Sequence, residues 1–154
     1  MLNDEIETVS ATGSRLVEPA LMNRCNDFDT VVVTMTTRSG KQVIITNSRQ
    51  AVYGYDQRVE LFGNKGMLIS ENRRHTQVTK HLRDATSISE PLLNFFIERY
   101  AEAFNAEINS FVQAINGKAP VEVGFEDGRI ALLLAEAAFK SAHEKRVIQL
   151  SEIN

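Results

Sequence analysis

The sequence predicts an α+β fold, a mostly antiparallel sheet with helices on one face. Two observations predict it. The first half of the chain is dense in β-branched residues set between turn-forming residues, which is strand patterning. From Pro91 onward the apolar residues instead recur at three- and four-residue spacing, which is helix patterning. A length of 154 residues is enough to bury a core without disulfide or metal staples. With 43% hydrophobic and 24% charged residues, the composition is that of an ordered globular domain.

The elements follow in order. Residues 6–17 alternate weakly, with Ile6, Thr8, Ser10 and Thr12 on one side and Glu7, Val9 and Ala11 on the other, and Pro19 ends the run. Residues 28–37 read as a long strand. Arg38-Ser39-Gly40-Lys41 is its turn and residues 43–48 its returning partner. Residues 57–62 and 67–69 are shorter strands joined by Gly63-Asn64-Lys65-Gly66. A further strand is predicted at 77–82. Ile97, Tyr100, Ala101, Phe104, Ile108, Phe111, Val112 and Ile115 form one face of an amphipathic helix, and Gly117 falls where a left-handed C-terminal cap belongs. A second helix spans about 126–143. Glu126 and Asp127 suit the positive end of its dipole. Its body, from Ile130 to Phe139, is apolar on most sides and predicts deep burial. Residues 146–150 close the chain as a last strand.

Side chains alternate along a strand, so Val31, Val33 and Met35 share one face of the hairpin and Val32, Thr34 and Thr36 the other. Ile44, Thr46 and Ser48 share a face of the returning strand. These Thr/Ser/Val positions carry no charge, which predicts a sheet face buried in a subunit or domain contact. The competing reading is an exposed face chosen for β-propensity.

Several function classes are excluded. A net charge of -3 gives no electrostatic footprint for nucleic acid. No apolar run approaches the roughly 18 residues of a membrane helix. Cys25 is the sole cysteine and the N-terminus has no secretory pattern, which together predict a reducing, cytoplasmic setting. His75 and His81, six residues apart on a strand, would stand roughly 20 Å apart. With no H-E-x-x-H and no cysteine pair, no metal is expected. No G-x-G-x-x-G or P-loop occurs, so no cofactor-binding residues are assigned. Asp27 and Asp29 read as a solvated strand end, and Arg73-Arg74-His75 as a solvated loop.

The segment from Asn47 to Arg58 stands apart. It joins two strands yet carries Tyr53, Tyr55, Asp56, Arg49 and Arg58 around Gly54. Phenol hydroxyls donate and accept, and Asp and Arg complement them, so the set suits a polyhydroxylated ligand. Equally, it suits a structural corner with packed rings and Arg58 paired to Asp56.

Tyr53-Gly54-Tyr55-Asp56, followed by Glu60-Leu61-Phe62-Gly63-Asn64-Lys65-Gly66-Met67, resembles the C-terminal domain of inositol 2-dehydrogenases, within the glucose–fructose oxidoreductase/inositol dehydrogenase family. Val9-Ser10-Ala11-Thr12-Gly13-Ser14 resembles that domain's first strand. Glu126-Asp127-Gly128-Arg129 with Ala135-Glu136-Ala137-Ala138 and Ser141 resembles its last helix. The resemblance implies an open sheet of about six strands, residues 1–154 forming one substrate-binding and oligomerisation domain, and a homo-oligomer built on the open sheet face. It implies that the parent enzyme oxidises a ring hydroxyl of myo-inositol with NAD, with Tyr55, Tyr53 and Asp56 binding the polyol. The family's Gly-rich NAD loop, its catalytic lysine and its Asp/His pair match nothing in this sequence. No catalytic residue is therefore assigned, and this chain alone is expected to bind no NAD and to be inactive. A dehydrogenase of another sugar or polyol, and a non-catalytic assembly or regulatory module, stay open as alternatives.

Overall fold

The computed structural model describes residues 2–153. Patterning treats residues 1–154 as one domain; in the structure the chain gathers into two compact units, one from residues 1–50 and 122–154, the other from residues 51–121.

The first unit is a four-stranded antiparallel sheet in the order β3-β2-β1-β8, formed by β1 (Ile6–Ser14), β2 (Thr30–Thr37), β3 (Gln42–Ser48) and β8 (Ile148–Gln149). Val9 and Ala11 of β1, Val33 and Met35 of β2, and Ile148 of β8 project from one face onto Ala137 of α4 (Phe125–Glu144). The hairpin follows its pattern closely. Gly40 at φ +86° turns it, and Thr37 closes it, donating its N–H to the Lys41 carbonyl at 2.9 Å and accepting the Lys41 N–H on Oγ1 at 2.9 Å. Helix α4 begins at Gly124, whose N–H donates to Asp127 Oδ2 at 2.8 Å, and ends at Lys145 in the left-handed region. Buried Ser141 ties the helix to the sheet: its Oγ accepts the Ala11 N–H at 2.9 Å and donates to the Arg146 carbonyl at 2.6 Å.

Four expectations change here. Nothing in the pattern marks α1 (Pro19–Cys25). The proline read as a strand terminator also opens this helix, where a fixed φ and a missing N–H cost nothing. The body of α4 is not deeply buried: Leu132, Phe139 and Ile130 are exposed, and Ala137 and Ser141 are its buried residues, because one stripe of the helix suffices to cover β1. The last strand shrinks to Ile148–Gln149, followed by a 3-10 turn. Asp29 is not a solvated strand end. Only 2% exposed, it accepts the backbone N–H groups of Leu16 (2.8 Å), Val17 (2.9 Å) and Glu18 (3.0 Å) that lead into α1.

Burial pushes the Asp29 carboxyl up, but those three N–H donors and the Thr30 hydroxyl outweigh it and hold its pKa at about 2, below the ordinary 3.8. A carboxyl depressed on folding contributes stability that is present above pH 3.8 and lost as pH falls through about 2. Thermal melts from pH 5 to pH 2 are therefore expected to show a steeper fall for the wild type than for Asp29→Asn, by a slope of about one proton. Equal slopes would show that the loop leading into α1 does not depend on the Asp29 charge.

The second unit pairs β4 (Val59–Gly63) with β5 (Gly66–Ser70), and β6 (Thr79–Lys80) with β7 (Ile88–Ser89), each antiparallel. The strand predicted at 77–82 is thus two residues long. The predicted helix is interrupted at Tyr100, giving α2 (Phe96–Arg99) and α3 (Ala101–Ile115). Gly117, at φ +68°, closes α3 as its spacing predicts, with its N–H on the Ala114 carbonyl and the Lys118 N–H on the Gln113 carbonyl. None of residues 51–121 is buried. The basic loop is paired rather than merely solvated: Arg73 meets Glu102 at 2.6 Å and His75 meets Glu98 at 3.0 Å.

Candidate functional site

The segment between β3 and β4 forms a tight corner within the second unit. Gly54 stands at φ +121°, and a Cβ there would lie 2.7 Å from the Leu92 Cβ, so the position demands glycine for both conformation and space. The next residue is anchored to the same neighbouring strip, with the Tyr55 N–H donating to the Leu93 carbonyl at 2.8 Å. Leu93 in turn donates to the Arg73 carbonyl at 3.0 Å, and Arg74 bridges Leu92.

Asp56 is the hub of the corner. Its carboxylate accepts the Tyr53 hydroxyl at 2.5 Å, Arg58 Nε at 2.8 Å and Nη2 at 3.0 Å, and Asn72 Nδ2 at 2.7 Å. Hydrogen bonds from Arg58, Tyr53 and Asn72 hold the Asp56 carboxyl well below the usual carboxylate range. The same bond to Asp56 pushes the Tyr53 phenol above its ordinary value. Beside the hub is a cavity of about 400 Å³, lined by Tyr53, Asp56, Arg58, Asn72, Arg74 and Glu90 among others. That volume lies in the range of small-molecule sites.

Tyr55 takes no part in the hub. Its ring meets Tyr100 edge-on, with centroids 5.6 Å apart at 80°, and Tyr100 meets Phe104 at 6.0 Å and 65°. The Tyr55 hydroxyl beside it pushes the Tyr100 phenol up. Of the three residues picked out by sequence, the structure thus joins Tyr53 and Asp56 directly and sets Tyr55 in a separate aromatic row. Pattern reading overlooks Asn72 and Tyr100. Asn72 has no local signal, because the β4–β5 hairpin brings it to Asp56 from 16 positions away. Tyr100 does carry one: it is the third of only three tyrosines, but the helical stripe absorbs it.

Among the described residues, no group of three or more His, Cys, Asp or Glu side chains converges to hold a metal ion. The residues present do not fit a dinucleotide either. The named strand pairs are all antiparallel, and no strand–Gly-rich turn–helix unit among the described residues offers N–H groups to a pyrophosphate.

Residues 1–150 match the family model described as oxidoreductase family, C-terminal alpha/beta domain. The chain belongs to this oxidoreductase family. Its oxidoreductase C-terminal domain is 41% identical to a myo-inositol 2-dehydrogenase of Thermotoga maritima, over 99% of this chain and 45% of that protein. Among solved structures, a probable dehydrogenase from Thermotoga maritima superposes with a TM-score of 0.93 at 40% identity, over 99% of this chain and 45% of that one. A scyllo-inositol dehydrogenase from Lactobacillus casei, with bound cofactor NAD(H) and scyllo-inositol, superposes with a TM-score of 0.84 at 27% identity, over 96% of this chain and 43% of that one. The oxidoreductase domain thus spans about half the length of the relatives it matches. Its mixed α/β architecture, with a four-stranded antiparallel sheet and smaller hairpins, is the fold the sequence predicts. No helix among the described residues is long and apolar enough to cross a membrane.

Proposed function

We propose that this chain is the substrate-presenting domain of an NAD-dependent inositol dehydrogenase, in which Tyr55 meets the polyol while Tyr53 and Asp56 frame the site. The observation that carries the reading is the corner itself, with Tyr55 set beside Tyr100 and Phe104 rather than spent in the Asp56 hub. A ring polyol presents C–H edges and hydroxyls that both donate and accept. An aromatic row bearing phenol groups answers both. The inositol dehydrogenase relatives, one of them solved with NAD(H) and scyllo-inositol, support the substrate class and the cofactor. NAD supplies the hydride acceptor when bound in the parent enzyme. This chain's own residues bind and orient the polyol and cover it from water. A general base must lie within hydrogen-bond reach of the reacting hydroxyl, and the hub's carboxylate does not serve as one: Asp56 is saturated and held ionised by its donors. The isolated chain with NAD and myo-inositol is accordingly inactive.

Two measurements test this. In ligand-observed saturation-transfer NMR, myo-inositol is expected to bind the chain, and Tyr55→Phe to weaken binding by roughly 3- to 10-fold, the worth of one hydrogen bond. Equal transfer to both proteins would remove Tyr55 from the site. Sustained NADH formation by the chain alone would overturn its assignment as a non-catalytic part.

The second half of the proposal is a homo-oligomer built on the outward face of the first unit's sheet. Cross-strand pairing places Ser10, Thr12, Val32, Thr34, Ile44 and Thr46 on that face, without a charge among them. Ile44 is 70% exposed and Val32 45%. Light scattering is expected to return a dimer or tetramer, and Ile44→Lys a monomer. A monomeric wild type would contradict the contact.

A further inference from the structure

Asp56 has no acceptor capacity left for a ligand. A carboxylate offers about four lone-pair directions, and Tyr53, Arg58 (twice) and Asn72 fill them at 2.5, 2.8, 3.0 and 2.7 Å. The Asn72 amide is engaged at both ends. Its Nδ2 donates to Asp56, and its Oδ1 accepts the Gln57 N–H at 2.8 Å. The bonds therefore tie residues 53–58 together and anchor them from the far end of the β4–β5 hairpin. On its other side the corner is held by Gly54 against Leu92 and by the Tyr55 N–H on the Leu93 carbonyl.

We infer that Asp56 and Asn72 are positioning residues of the polyol site, which touch no substrate but clamp the corner so that Tyr55 is held against Tyr100. The inference rests on the reading of Tyr55 as the polyol contact and extends it to a residue 16 positions away that no sequence motif marks. With the backbone fixed on both sides of Tyr55, its ring keeps only its two side-chain torsions, and the edge-on contact with Tyr100 selects among them. Asparagine at position 56 would offer one acceptor oxygen and set an NH₂ group against the Tyr53 and Arg58 donors. Alanine at position 72 would remove one of the two bonds to Asp56 Oδ1 and leave the Gln57 N–H without its acceptor.

The three tyrosines of the chain are residues 53, 55 and 100. Ring-labelled tyrosine thus gives three ring spin systems, assigned by single Tyr→Phe changes. In the wild type a strong nuclear Overhauser effect is expected between the Tyr55 and Tyr100 rings. Asp56→Asn and Asn72→Ala should each reduce it at least twofold and weaken myo-inositol binding several-fold, while the Ile148 and Val9 methyl signals of the first unit stay in place and report an intact fold. A ring contact at wild-type strength in both variants would overturn the clamp. Weakened binding with an intact ring contact would overturn it too, since Asp56 would then touch the polyol itself. Should Tyr55→Phe leave binding unchanged, the polyol reading of Tyr55 falls, while the ring contact still decides whether Asp56 and Asn72 hold the corner.

Discussion

Ile148→Ala is expected to destabilise the first unit by about 2–5 kcal/mol in chemical denaturation, the range for emptying a fully buried aliphatic site. Ile148 is completely buried, and it is half of a strand only two residues long. It pairs with Val9, which is also completely buried, and it packs in the cluster with Ala11, Val33, Met35 and Ala137. Alanine would leave a cavity between sheet and helix, into which Ala11 and Ala137 are too short to reach. The neighbouring Val147 is 53% exposed and supplies the control. Val147→Ala should change stability by no more than about 0.5 kcal/mol. Comparable losses from the two changes would mean that β8 is not part of the core.

Gly54→Ala is expected to unseat the corner. A residue with a side chain at such a strained positive φ costs on the order of 1–3 kcal/mol in backbone conformation alone. At Gly54 that cost meets a collision: φ is +121°, and the added methyl would stand 2.7 Å from the Leu92 Cβ and 3.2 Å from the Leu92 and Leu93 carbonyl oxygens. Two of those three neighbours are backbone and cannot swing aside. The strip 92–93 must move, and with it the acceptor of the Tyr55 N–H. The measurement is polyol binding by the full chain, expected to fall at least tenfold, with the melting of the first unit unchanged. Gly66→Ala is the informative partner. Gly66 also has a positive φ, +138°, but a methyl placed on it would meet nothing within 4 Å, so it carries the conformational cost without the collision. If the two variants behave alike, packing on Leu92 is not what fixes the corner.

How much of the molecule is legible in the sequence follows from how local each feature is. The 30–48 hairpin is plain, because β-branched runs, a Gly-bearing turn and alternation all act within a few residues. The left-handed closure at Gly117 is legible for the same reason. Asp29 reads wrongly because its three N–H partners lie 11 to 13 residues upstream, on a loop whose path the pattern does not give. The burial of α4 is overstated because an apolar run says only that a helix can be covered, while the width of the sheet beneath sets how much of it is. Within the corner, composition identifies Tyr53, Tyr55 and Asp56 but does not choose between ligand contact and scaffold. That choice depends on Asn72 and Tyr100, which the hairpin and the helix start deliver from elsewhere.

The Ser141 bond to Ala11 spans 130 positions, and β8 joins β1 across a similar distance. Such contacts make the first unit a structure of high contact order. β1, β2 and β3 can zip as local hairpins, but their apolar face has no cover until the far segment arrives. The entropy of closing that long loop must be met before the buried contacts return anything. Docking of α4 and β8 onto the three-stranded sheet is therefore the expected late step in folding. Before such docking, Val9, Val33 and Met35, which the folded unit buries together, would face water as one apolar patch, the kind of surface through which chains aggregate.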